Sequence, residues 1–138
     1  MSNNKTTLFI YGPLKTDHYR SDILAEAVHQ GKAEYLYKVR TTQYYDLYDF
    51  GTFPGLVYGD KSIIGELFLV SQDVIRFMDR YENSQKLFIR DVIHLENNRT
   101  AQTYYFNIDE CDNILFNVLS TQRNIKRLSN TEIEWNNK

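Results

Sequence analysis

The run Ser62-Ile63-Ile64-Gly65-Glu66-Leu67-Phe68-Leu69-Val70 is the clearest strand in the chain, and a helical pattern begins directly after it. Ser71 can cap that helix, whose apolar face carries Val74, Ile75, Met78 and Tyr81. A strand running into a helix places Glu82 at the helix's C-terminal edge, where side chains face clefts.

Thr6-Thr7-Leu8-Phe9-Ile10-Tyr11 reads as a first buried strand, halted by the turn residues Gly12-Pro13. A helix capped by Ser21 runs to Gln30, with Ile23, Leu24, Ala27 and Val28 on one side and Gly31 placed to end it. From Ala33 to Tyr58 the aromatic alternation (Tyr35, Tyr37, Val39, then Tyr45, Leu47) predicts two strands and a loop through Phe50 to Gly55. Leu87 to Leu95 and Thr100 to Phe106 form a hairpin around Asn97-Asn98-Arg99, so the sheet is largely antiparallel. After Asn107 the chain is Asn-rich and polar, apart from an apolar island at Ile114, Leu115, Phe116, Val118 and Leu119 and the late Trp135. The pattern predicts one α+β domain over residues 1–138, a largely antiparallel sheet with helices beside it and a polar appendage from about 107.

With 138 residues and 42% hydrophobic composition the chain can stabilise one core without staples. Sixteen Lys and Arg against 18 Asp and Glu give a formal charge of -2, so the counterion-release term that drives nucleic-acid binding has no global source. That weighs against a single-stranded nucleic-acid binder stacking bases on its 11 tyrosines. Cys111 is single, and with His18, His29 and His94 it shows none of the close spacings of a zinc site. Its acidic neighbours Asp109, Glu110 and Asp112 would raise, not lower, a thiol pKa. No stretch has signal-peptide character or the length to span a bilayer, so the expected location is the cytoplasm and no membrane partner is expected. Phosphate-loop, dinucleotide and nucleophile-elbow motifs are all missing.

What remains is a positional pattern. Tyr11-Gly12-Pro13-Leu14 after an opening strand, Phe53-Pro54-Gly55-Leu56-Val57, Gly65-Glu66-Leu67-Phe68, and Met78-Asp79-Arg80-Tyr81-Glu82 followed by Phe88-Ile89-Arg90 stand in that order. In this the chain resembles the gamma-glutamylcyclotransferase-like family, which includes gamma-glutamylamine cyclotransferases and AIG2-like proteins. The resemblance implies a small mixed barrel and an enzyme that needs neither metal nor cofactor. It places Glu82 at the position of the catalytic carboxylate, and Tyr11, Gly12, Pro13, Leu14 and Lys15 in the loop that binds substrate through backbone N–H groups. The implied reaction is attack of a gamma-glutamyl α-amine on its own γ-carbonyl, releasing 5-oxoproline and a free amine, with the carboxyl group as base and then acid.

One departure is plain: where that family commonly has Ser or Thr in the loop, Pro13 supplies neither hydroxyl nor N–H. It favours an alternative, a non-catalytic binding or regulatory protein that reuses the pocket, whereas a carboxylate facing the ligand favours the enzyme. Other residues admit plainer readings. Tyr11 can be a core aromatic, Arg90 a surface partner of Asp79, Glu66 an outward or supporting carboxylate, and one of Tyr104 and Tyr105 must face the barrel. The reading as a whole expects Gly12, Pro13, Leu14 and Glu82 to meet at one pocket.

Overall fold

The computed structural model describes residues 5–16, 20–82, 87–108 and 123–136. Cys111, His18 and the apolar island at 114–119 lie outside them. The elements are β1 (Lys5–Ile10), α1 (Asp22–His29), β2 (Ala33–Arg40), β3 (Tyr45–Asp49), β4 (Pro54–Tyr58), β5 (Ser62–Ser71), α2 (Gln72–Glu82), β6 (Phe88–His94), β7 (Thr100–Phe106), β8 (Ile125–Arg127) and β9 (Glu132–Trp135).

The long strand β5 organises a seven-stranded sheet of order β6-β7-β1-β5-β9-β8, with β2 also paired to β5. Residues 66–71 of β5 pair antiparallel with β1, and residues 64–70 pair antiparallel with β2. Where β1 ends, β9 takes its place beside Ser62 and Ile63, running parallel to β5. The β1–β7 pairing is also parallel and the remaining ladders are antiparallel, which makes the sheet mixed and largely antiparallel. Gly65 is required at the crossing, because a Cβ there would stand 2.5 Å from the Ile10 carbonyl oxygen and 2.6 Å from the Phe9 ring.

Alternation along β1 divides the core. Leu8 and Ile10 pack with Leu24 of α1 and Val74, Ile75 and Met78 of α2, while Phe9 and Tyr11 pack on the other side with Leu56, Leu67 and Trp135. The α2 residues follow the three-to-four spacing of a buried stripe, and the Val74 N–H reaches the Ser71 hydroxyl at 3.5 Å. Ser21 precedes α1 in helical conformation and makes no side-chain cap. That helix is closed at its other end instead: Gly31, at φ +74°, donates to the Val28 carbonyl, and Lys32 to that of Ala27. Asn97 and Asn98 both take positive φ in the β6–β7 turn.

Residues 33–58 hold three strands where the aromatic pattern predicts two. Pro54 opens β4, a strand-start position that loses nothing by lacking an N–H, and β3–β4 forms a separate two-stranded sheet. The four residues between them close through the Phe50 N–H on the Phe53 carbonyl, with Asp49 accepting from the Gly51 N–H. No helix among the described residues is long and apolar enough to cross a membrane.

Candidate active site

β1 ends at Ile10, and the chain then turns sharply. The Lys15 N–H returns to the Gly12 carbonyl at 3.1 Å, a β-turn with Pro13 at its second position, where a fixed φ is suited and no N–H is needed. The N–H groups of Gly12 and Leu14 have no acceptor among the described residues. Below the turn lies a cavity of about 350 Å³, whose walls include Tyr11, Gly12, Pro13 and Leu14 from this segment, Met78, Tyr81 and Glu82 from α2, and Arg20. Phe53, Pro54, Leu87, Phe88, Thr103 and Tyr104 complete it.

Glu82 is half-buried at the end of α2. Burial raises its carboxyl pKa from 4.5 to about 7, and the opposing positive charge of Arg20 limits the rise. A carboxyl group poised near neutrality can both accept and return a proton. Arg20 is held in two ways: its N–H donates to the Pro13 carbonyl at 3.0 Å, and its guanidinium lies 5.2 Å over the Tyr81 ring. The cavity thus brings one cation, one titrating carboxyl group and a turn with two available N–H groups to the same wall region.

The Tyr11 hydroxyl is already engaged, donating to the Tyr104 carbonyl at 2.5 Å and accepting from the Leu56 N–H at 3.3 Å. Burial and the nearby Glu82 push its pKa well up, so it stays a neutral phenol that ties β1 to β7 and β4. Tyr104 turns its ring to the cavity and donates its hydroxyl to Asp79 at 2.7 Å, while Tyr105 packs in the other core cluster. Arg90 pairs with Asp79 at 2.8 Å. Glu66 accepts from the Thr16 N–H at 2.8 Å and hydroxyl at 2.5 Å, which anchors the segment beyond the turn to β5.

Lys15 is not part of the cavity wall. Its amide closes the turn, and its side chain, buried at 2% exposure, runs the opposite way to donate to the Trp135 carbonyl at 2.7 Å and face Glu134 at 3.6 Å. The reason is topological: β9 occupies the edge of β5 that β1 leaves, directly behind the turn. Among the described residues no group of His, Cys, Asp and Glu is arranged to hold a metal ion.

A family model described as "Gamma-glutamyl cyclotransferase, AIG2-like" matches residues 8–123. The chain belongs to this family. Its members' name is that of an enzyme acting on gamma-glutamyl compounds, so a small gamma-glutamyl substrate goes with it. A protein of Vibrio cholerae serotype O1 named "Putative gamma-glutamylcyclotransferase" is 33% identical over 86 residues, spanning 62% of this chain and 70% of that one. The fold of the AIG2-like family is evident in solved structures too. A uropathogenic E. coli-specific protein superposes with a TM-score of 0.66 at 15% identity, covering 75% of this chain and 80% of the other. An AIG2-like protein from Mus musculus gives 0.60 at 20% identity, covering 75% and 76%.

Against the AIG2-like pattern read from sequence, the residue that went unnoticed is Arg20. It lies in a short connection without motif, and its place depends on stacking against a ring on the other helix. The apolar walls Phe53 and Phe88 both stand in the segments that carry the resemblance, Phe53 in the expected loop and Phe88 at the head of Phe88-Ile89-Arg90, but the sequence assigns neither to the site.

Proposed function

We propose that this chain cleaves a gamma-glutamyl amide or amine by cyclotransfer, releasing 5-oxoproline and a free amine. The observation that carries the proposal is Glu82, a carboxyl group with a pKa of about 7 in the cavity that also receives the Gly12–Lys15 turn. Arg20 is the cation available for the substrate's α-carboxylate, and the Gly12 and Leu14 N–H groups are the donors available for the γ-carbonyl oxygen.

Ionised Glu82 takes a proton from the α-ammonium group, and the freed amine attacks the γ-carbonyl carbon. A C–N bond forms, and negative charge collects on oxygen near the turn. Collapse of the adduct breaks the original amide bond as the leaving nitrogen takes that proton from Glu82, and the ring nitrogen, which still carries two protons after the attack, passes the second by way of Glu82 to the departing amine, which leaves as an ammonium. No proton is gained or lost overall. The nucleophile is already attached to its target, so holding the reactive conformer supplies much of the acceleration, and proton transfer contributes a further factor of about 10² to 10⁴.

The test is incubation with a panel of gamma-glutamyl amino acids and amines, following 5-oxoproline by mass spectrometry. Glu82→Gln keeps shape and hydrogen bonding but cannot shuttle a proton, and should lower release by about 10² or more. Binding of these amides with no 5-oxoproline released would make the chain a binding protein that reuses the pocket.

A further inference from the structure

We infer that the amide cleaved here carries a neutral, apolar amine, alkyl or arylalkyl, and not one bearing a carboxylate or ammonium group. The inference rests on the cyclotransferase reading and uses walls that reading leaves unassigned.

The glutamyl part of the substrate accounts for Glu82, Arg20 and the turn. These are the only charged walls among the described residues, and both charges are then engaged. Opposite in character are six of the remaining wall residues, Leu14, Phe53, Pro54, Met78, Leu87 and Phe88, which share the lining with Thr103 and the rings of Tyr81 and Tyr104. This hydrocarbon is held in shape by its own packing. The Phe53 ring stacks on Phe50 at 5.0 Å and meets the Phe88 ring edge-on at 6.0 Å, and Phe88 in turn meets Phe106 at 6.3 Å.

Phe53 and Leu87 are half-buried, so each keeps apolar surface that a ligand can cover. The cavity volume of about 350 Å³ leaves room beyond a glutamyl group. An alkyl or phenyl substituent gains by covering Phe53 and Leu87. A carboxylate or ammonium there would lose its water with no counter-charge from these walls, which is strongly unfavourable.

The experiment compares kcat/KM of the full chain for gamma-glutamyl isobutylamide and benzylamide with that for gamma-glutamyl glutamate and gamma-glutamyl-ε-lysine, by 5-oxoproline release. At least a tenfold preference for the apolar pair is expected, and Phe53→Lys should narrow the gap between benzylamide and the glutamate amide tenfold or more. Equal or better turnover of the charged pair overturns the inference while leaving cyclotransfer standing. If no amide releases 5-oxoproline, cyclotransfer itself fails, and calorimetric binding of the same four amides decides the subsite. Tighter binding of the apolar pair then supports it, and equal or reversed affinities overturn it.

Discussion

The Lys15 ammonium donates to the Trp135 carbonyl at 2.7 Å, joining the turn after the first strand to the last strand of the sheet. Two opposing effects act on this contact. A hydrogen bond from a charged donor contributes about 1.5–3 kcal/mol, but burial disfavours the ammonium and lowers its pKa despite the pull of Glu134 and Glu66. Lys15→Met should therefore change stability at pH 7 by less than about 1 kcal/mol, yet loosen the turn and raise KM several-fold.

The same lowered pKa fixes a pH dependence. Between the folded-state pKa and the unfolded value of 10.5 the unfolded chain binds more protons at Lys15, so this residue's contribution to stability rises with pH. Urea titrations at pH 7 and pH 10 should show that increment in the parent relative to Lys15→Met. An identical pH response in the two proteins would refute the assignment.

Glu82 has the opposite sign. Below about pH 4.5 it is protonated in both states; as pH rises towards 7 the unfolded chain loses this proton and the folded chain keeps it, so stability falls. At about 1.4 kcal/mol per pKa unit the loss reaches about 3 kcal/mol at pH 7 and above. Glu82→Gln removes the titration, so the variant should be more stable than the parent by up to about 3 kcal/mol at pH 7.5 and nearly equal to it at pH 4, as read by denaturant unfolding. The gain in stability would accompany the loss of turnover.

The elements that position Glu82 were legible because they are locally determined: an apolar run sets β5, and a three-to-four apolar stripe sets α2. What escaped depends on long-range partners. Asp49 looks like a loop carboxylate, yet it is fully buried, accepting from the N–H and side-chain amide of Asn124 at 2.9 and 3.1 Å. The resemblance puts the Lys15 N–H among the loop's donors, whereas it closes the turn on the Gly12 carbonyl, and the side chain's direction is set by β9, whose strand pattern spans only four residues. Pairing supplied from the far end of the chain leaves no trace in local periodicity.

Pro13 stands at the second position of the Gly12–Lys15 turn and at the cavity wall, so its substitution has a structural and a functional consequence. Pro13→Ser frees the unfolded chain and should cost about 0.4–1 kcal/mol, measured by thermal unfolding. It also adds an N–H and a hydroxyl at the site, which should raise 5-oxoproline release or broaden the set of amides accepted. An unchanged substrate profile would show that Pro13 is not what sets this chain apart.

Arg20 offers the sharpest separation of roles. Its charge holds the Glu82 pKa below where burial alone would put it, while its planar group also packs over Tyr81. In the parent, kcat/KM should rise through about pH 7 as Glu82 ionises. Arg20→Met keeps an apolar stem over the ring but removes the charge, so the rise should move to higher pH. Loss of the cation opposite the substrate carboxylate should also raise KM by about tenfold, the weight of one partly exposed charged contact. If Arg20 served only to pack on Tyr81, unfolding temperature would fall while the pH profile stayed in place. A displaced profile with little change in unfolding temperature is the expected result, since only an electrostatic partner of Glu82 can move that limb.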